Sequence, residues 1–136
     1  MKKPAAATLT FLLLLCGCAA TGEVPSPTSQ GASPLQIPFK VLSPEGTGPF
    51  PAVVIMHDCS GLGPNSSGAP ARWAKELVGQ GYVVIMPDSF STRGFPDGVC
   101  TNDSPQRFEV APARREADAY AALAHPVIID HLKSLN

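Results

Sequence analysis

The segment Pro51-Ala52-Val53-Val54-Ile55-Met56 is an apolar run without interruption, and Val83-Val84-Ile85-Met86-Pro87 repeats its core thirty residues further along. Apolar runs that are rich in β-branched residues and lack alternation are typical of central strands buried on both faces of a sheet. Ala69–Gln80, between them, predicts a helix that carries Pro70 in its first turn and is followed by Gly81. We therefore predict a parallel strand–helix–strand unit with a right-handed connection.

Outward from this unit, the pattern predicts one further strand and one further helix. The strand alternates apolar and other residues at Leu35, Ile37, Phe39 and Val41, and Pro38 within it favours an edge position. In the first helix, Trp73 and Leu77 are four residues apart and are predicted to share one face. The second helix is predicted from Pro112 to about Ala124, with one stripe formed by Ala117, Tyr120, Ala121 and Ala124.

Residues 1–17 have the pattern of an export signal. Lys2 and Lys3 precede an apolar stretch, Ala5 to Leu15, which is too short to cross a bilayer core of about 30 Å. The stretch ends in Leu15-Cys16-Gly17-Cys18, which resembles the lipobox of bacterial lipoproteins. This resemblance implies a lipid on Cys18 and a membrane anchor; the alternative is an ordinary cleaved signal. Ala19 resembles the outer-membrane sorting pattern, which places the protein in the envelope facing the periplasm.

Composition limits the classes of partner. The chain has 136 residues, of which 44% are hydrophobic and 15% charged, and its formal net charge is −1. Removing Lys2 and Lys3 leaves 8 basic and 11 acidic side chains, a charge of −3. Nothing in this balance indicates nucleic-acid binding, and an acidic body must be held at a membrane through lipid. The Pro-, Ser- and Thr-rich residues 18–34 predict a disordered tether between that lipid and the body.

The cysteine count indicates one disulfide in the exported chain. Cys16 leaves with the signal and Cys18 takes the lipid, so Cys59 and Cys100 remain as an even pair in an oxidising compartment. Cys59 follows the first central strand and Cys100 lies in the long loop after the second, and parallel strands present their carboxyl ends at one edge of the sheet. We predict that they are bonded; two buried free thiols are the alternative.

The body resembles the dienelactone hydrolase family of α/β-hydrolases between Phe50 and Ala124. The resemblance is carried by four segments in this order and spacing: Pro51 to Gly61, Gly81 to Phe90, Arg93-Gly94 and Arg115 to Ala119. It implies that residues 35–136 form a partial α/β-hydrolase domain, a three-layer sandwich with a parallel core that lacks its C-terminal half. The absent strands are expected beside Val83–Met86, where an apolar edge would be left bare.

The resemblance also implies roles for residues near the ends of the two central strands. The loop after the first strand supplies a backbone N–H to the oxyanion hole, which points to Cys59 as donor, with His57 and Asp58 shaping the loop. Asp58 falls where family members carry a glutamate that interacts with the nucleophile; a solvated loop acid or helix-end partner is the alternative. Arg93 falls near an arginine that binds the substrate carboxylate, and a surface arginine is the alternative.

The family's nucleophile is missing from residues 1–136. It sits in a G-x-C-x-G or G-x-S-x-G turn, a pattern that occurs nowhere in this sequence. His125 and His131 do not match the family's catalytic histidine, and His57 is too close to Cys59 along one loop to serve as its base. We predict no catalytic residue, no metal and no cofactor in this chain.

Two functions follow from these patterns. One is a hydrolase of small-molecule esters or lactones, anchored in the envelope and inactive in this shortened form. The other is a non-catalytic envelope lipoprotein, or a pseudogene fragment with a binding role at most.

Overall fold

The computed structural model describes residues 18–26, 35–100, 105, 113–126 and 128–129. Within them lie four strands, two α-helices and a short 3₁₀ turn. In chain order these are β1 (Cys18–Ser26), β2 (Leu35–Ser43), β3 (Ala52–Val54), α1 (Ala69–Gly79), β4 (Val83–Pro87), the 3₁₀ turn (Ser91–Arg93) and α2 (Ala113–Leu123). The predicted signal peptide, residues 27–34 of the predicted tether, and His131 lie outside the described residues.

The strands form one mixed sheet in the order β1-β2-β4-β3. β3 and β4 run parallel and are connected through α1, so the predicted strand–helix–strand unit is confirmed. β2 pairs antiparallel with both β1 and β4. An α/β architecture is therefore present, and the sheet is mixed because β2 runs antiparallel to both of its neighbours.

The two helices cover opposite faces of β4. Alternate residues of β4 belong to two clusters because successive side chains point to opposite faces of a sheet. Val83 and Ile85 pack in a cluster that includes Ala122 of α2, while Val84 and Met86 pack with Ala74 of α1. All five residues of β4 are buried, which confirms a central strand covered on both faces.

β3 is not a central strand among the described residues. It is three residues long, each of them half-buried, and it lies at the end of the strand order. β4, in contrast, is paired on both sides. The prediction of a bare apolar edge beside Val83–Met86 was therefore wrong, and the open edge belongs to β3.

The alternation of β2 is confirmed, but its predicted edge position was wrong. Ile37, Phe39 and Val41 are buried, and β2 lies between β1 and β4. Pro38 is tolerated there because its carbonyl accepts a hydrogen bond from Asp88 N at 2.7 Å, just beyond the end of β4. The N–H and C=O of one strand residue point to the same side, so an N–H at position 38 would also point toward Asp88. The pairing of β2 with β4 ends there, so the N–H that Pro38 lacks would be needed by no further pair of the ladder.

Residues 18–26 form a strand and not the predicted disordered tether. β1 pairs with β2 over its whole length, from Cys18 opposite Ser43 to Ser26 opposite Leu35. Val24 is 1% exposed and joins the core. Gly22 faces the ring of Phe39 so closely that a Cβ at Gly22 would overlap it, so a larger residue there would require the buried ring to move. Residues 18–26 therefore belong to the folded body.

Both helices agree with the predicted bounds to within one residue, but their buried faces differ from the prediction. In α1, Trp73 is 64% exposed, while the residues facing the sheet are Pro70, Ala74, Leu77 and Val78, at helical spacing. In α2, Tyr120 is 66% exposed and Asp118 is fully buried. Within the described part of the chain, no helix is long and apolar enough to cross a membrane.

Candidate functional site

The loop that follows β3 lies at the edge of the sheet where the parallel strands end. Residues 57–61 follow β3, and Asp88 to Phe90 follow β4. Because β3 and β4 are parallel neighbours, these two segments lie at the same edge. In open α/β sheets this is the edge that carries ligand sites.

His57 joins the two segments. Its side chain is 1% exposed, and its ring packs edge-on against Phe90 with centroids 4.5 Å apart. Ser89 N donates to His57 Nε2 at 3.1 Å, and His57 Nδ1 lies 2.8 Å from the Asp58 carbonyl oxygen. A backbone N–H can only donate and a carbonyl can only accept, so the imidazole is neutral and carries its proton on Nδ1.

Burial lowers the pKa of His57 below its usual range, although the hydrogen bond to the Asp58 carbonyl acts in the opposite direction. With both ring nitrogens engaged inside the fold, His57 has no free lone pair with which to accept a proton from a nucleophile. His57 therefore positions the loop through the hydrogen bonds of its two ring nitrogens.

Asp58 organises the following turn. Its carboxylate is exposed, and it accepts hydrogen bonds from Ser60 N and Ser60 Oγ and, at 2.7 Å, from Ser67 Oγ. These bonds lower the pKa of Asp58, with the Ser60 hydroxyl contributing most. The Asp58 carbonyl also accepts a bond from Gly61 N at 3.2 Å. Asp58 is therefore a loop-forming acid with its oxygens engaged within the turn.

Cys59 is left with one unused donor. Its sulfur is bonded to Cys100, with the two Cα atoms 4.9 Å apart, and its carbonyl accepts a hydrogen bond from Val99 N at 2.7 Å. Ser60 N and Gly61 N are taken by Asp58, whereas Cys59 N donates to no group among the described residues. The peptide N–H of Cys59, an exposed residue, is therefore unpaired among the described residues, while the disulfide and the carbonyl of the same residue are held.

Two contacts that the sequence reasoning missed support this loop. Arg115 of α2 donates through Nη1 to the His57 carbonyl at 2.7 Å, and Gly98 packs against the loop backbone. A Cβ at Gly98 would lie 2.5 Å from the Cys59 oxygen and 2.6 Å from the Ser60 carbonyl carbon. Arg115 belongs to a segment that carries the family resemblance, which was the one available signal.

Arg93 is not the surface arginine that was the alternative interpretation. Its side chain is 10% exposed and forms a two-pronged ion pair with Asp118, Nη1 to Oδ2 at 2.6 Å and Nη2 to Oδ1 at 3.0 Å. The same nitrogens donate to the Ser89 carbonyl at 2.6 Å and to Ser26 Oγ at 2.7 Å. A substrate carboxylate would have to compete with Asp118 for this guanidinium.

Asp118 is ionised inside the fold. Burial raises its pKa, but hydrogen bonds from Arg93 first, and from Ser26 and Ser89, outweigh that effect and lower it overall. A fully buried carboxylate needs this paired and hydrogen-bonded environment to remain charged.

A small cavity of about 280 Å³ opens beside the loop, near the end of β4. Leu62 and Met86 supply apolar surface, and Asp88, Glu23 and Lys40 supply polar groups. Across the described ranges, no group of three or more histidine, cysteine or acidic residues is placed to hold a metal ion.

Comparison with known proteins found one family match. A model described as the dienelactone hydrolase family matches residues 38–135. A comparison with curated proteins found no match.

Replacing Gly98 by alanine should destabilise the fold more than replacing Gly94. Both glycines have positive φ, +81° and +87°, so both substitutions incur the left-handed backbone penalty of about 1–2 kcal/mol. Only at Gly98 would the new Cβ also collide with backbone, since a Cβ at Gly94 meets nothing within 4 Å. Urea unfolding of the two variants measures the difference, and equal losses would show that Gly98 does not support the loop.

The stability contributed by His57 should be lost as the pH falls. Its folded pKa lies below its ordinary value of 6.5, so the unfolded state binds the proton more readily below that pH. The contribution is fully present above about pH 6.5 and decreases as the pH falls toward the lowered folded pKa. Unfolding free energies of wild type and His57→Gln between pH 7.5 and 5 measure it. Parallel curves for the two proteins would contradict this role.

Proposed function

The chain belongs to the dienelactone hydrolase family, and from this premise we propose that it takes part in hydrolysing an ester or lactone bond, with Cys59 N as one donor of the oxyanion hole. The observation that carries the proposal is the unused N–H of Cys59, an exposed residue in the loop at the carboxyl end of β3. Ser60 N and Gly61 N donate to Asp58 within the turn, whereas Cys59 N is left to meet a ligand.

Preorganisation is what gives such a donor catalytic value. Attack on an ester carbonyl places negative charge on its oxygen, and a donor fixed in advance stabilises that charge without reorganising during the reaction. Three interactions hold the Cys59 peptide: the disulfide to Cys100, the hydrogen bond from Val99 N to the Cys59 carbonyl, and the hydrogen bond from Ser89 N to the preceding His57. The disulfide also removes the Cys59 thiol, so the backbone and not the sulfur acts here.

Turnover needs a nucleophile from outside residues 1–136. The family's nucleophile turn, which also carries the second oxyanion N–H, does not occur in this sequence. Since β4 is paired on both sides and β3 on one, the strand that leads to such a turn would add at β3. We assign to the described residues the oxyanion loop and the adjoining wall of the site.

Replacing Cys59 by proline should lower turnover about 10²–10³-fold relative to alanine, the effect of losing one oxyanion donor. Both substitutions remove the disulfide, and only proline removes the N–H. The measurement is kcat on an activated ester, in a chimera in which this chain is followed by the C-terminal part of an active family member. Residues 18–136 alone serve as the control and should show no saturable turnover.

Equal kcat for the alanine and proline variants would refute the assigned donor. Saturable turnover by residues 18–136 alone would overturn the need for an external nucleophile. A chimera that folds and binds ester but never turns over would favour a non-catalytic binding role.

We further propose that the protein is an envelope lipoprotein anchored through Cys18. The support is the basic start, the short apolar stretch and the Leu15-Cys16-Gly17-Cys18 pattern, together with a free, exposed Cys18 at the first position of β1. A disulfide between Cys59 and Cys100 suits an exported protein. Facing the periplasm at the outer membrane is the proposed location.

Cys18→Ala should convert the protein from a membrane-bound to a soluble or unprocessed form. The reason is that the thioether to diacylglycerol can form only on the cysteine sulfur. Membrane fractionation and intact mass of the protein produced in a bacterium with lipoprotein machinery measure the change. Cys16→Ala is the matched control and should remain acylated. A wild-type protein without added lipid mass would exclude the anchor.

A further inference from the structure

A second cavity lies at the end of the sheet opposite the candidate oxyanion loop. Its volume is about 560 Å³, within the range of about 300–1,000 Å³ found for small-molecule sites. Phe50 precedes β3, and Gly79 and Gly81 precede β4, so this is the amino end of the parallel pair. We call it the amino-end cavity.

The amino-end cavity is lined mainly by carbon. Leu42, Pro44, Phe50 and Val78 contribute apolar side chains, and Gly79 and Gly81 contribute bare backbone. Glu45 and Lys75 are the charged residues in its wall. A cavity with this lining suits an aliphatic chain better than a polar molecule, because burying polar groups without partners costs free energy.

Cys18 itself lines this cavity. It is the first residue of β1 and pairs with Ser43, so its backbone is held in the sheet. A lipid attached to its sulfur would therefore start at the cavity wall, with no flexible segment between them. This proximity favours an acyl chain as the occupant, because a lipid bonded to Cys18 would lie directly beside the apolar cavity.

We propose that the amino-end cavity receives one acyl chain of the lipid carried by Cys18; this inference rests on the proposed lipid anchor. Transfer of methylene groups from water to an apolar site is favourable, in the cavity as in the bilayer. The remaining chains stay in the membrane. Holding one chain seats the amino end of the sheet on the membrane surface and turns the oxyanion loop away from it.

The test is photo-crosslinking of the full chain in bacterial membranes. Cells that produce the protein are fed a palmitate analogue that carries a diazirine, and the illuminated protein is digested and mapped by mass spectrometry. We expect crosslinks to peptides that contain Leu42 to Phe50 or Lys75 to Gly81. A Gly79→Trp variant should lose them, because Gly79 lines the cavity and a Cβ there meets no atom within 4 Å, so an indole has room to occupy the space of the acyl chain.

Ala71→Trp is the matched control, since Ala71 is exposed on the same helix and does not line the cavity. It should keep the crosslinks. Acylated protein that crosslinks only to lipid or to another protein, or equally in the Gly79→Trp variant, would overturn the inference while leaving the anchor intact. Intact mass without an acyl group would instead overturn the anchor, and this inference with it.

Discussion

The buried ion pair between Arg93 and Asp118 is the interaction on which the arrangement of the site depends. It joins the 3₁₀ turn to α2, and through Ser26 it also holds the end of β1. Breaking a buried pair by removing one partner typically costs about 3–5 kcal/mol because the other charge is left unpaired. A guanidinium suits this place because its planar fork can meet both carboxylate oxygens and still reach Ser26 and Ser89.

A continuous set of hydrogen bonds leads from that pair to the oxyanion loop. Arg93 donates to the Ser89 carbonyl, the Ser89 N–H donates to His57, and His57 donates to the Asp58 carbonyl. The Ser89 N–H and the Asp58 carbonyl together fix the proton of His57 on Nδ1. The loop is therefore held from the core as well as by the exposed bonds of Asp58, and such preorganisation is what an oxyanion donor requires. Arg93 is connected to the loop through Ser89 and His57.

The sheet has two ends with different proposed roles. Cys59 lies where β3 ends, and Cys18 lies beside the residues that precede β3 and β4. Because the parallel strands separate these ends, attachment at Cys18 and catalysis at Cys59 do not compete for the same surface. Residues 18–26 form a strand, so Cys18, the proposed site of lipid attachment, is part of the sheet.

The residue pattern alone determined the elements with strong local signals. The apolar run of β4, the alternation in β2, the bounds of α1 and the positions of Cys59 and Cys100 were all readable along the chain. They were readable because strand burial, helix ends and cysteine number are properties of neighbouring residues. The loop after β3 was identified through a family resemblance carried by local segments, and the donor role of Cys59 stays a prediction.

Only the tertiary structure decided which strands neighbour each other and which polar groups meet. Residues 18–26 have a composition typical of a tether, yet they form a strand because β2 offers a free edge and Phe39 covers Gly22. Pro38 looked like an edge residue, and it is accommodated because β4 ends beside it. Arg93 and Asp118 are 25 residues apart, and Arg93 and Ser26 are 67 apart. No local pattern records such distant pairings, because the free energy that selects them arises when the elements pack together.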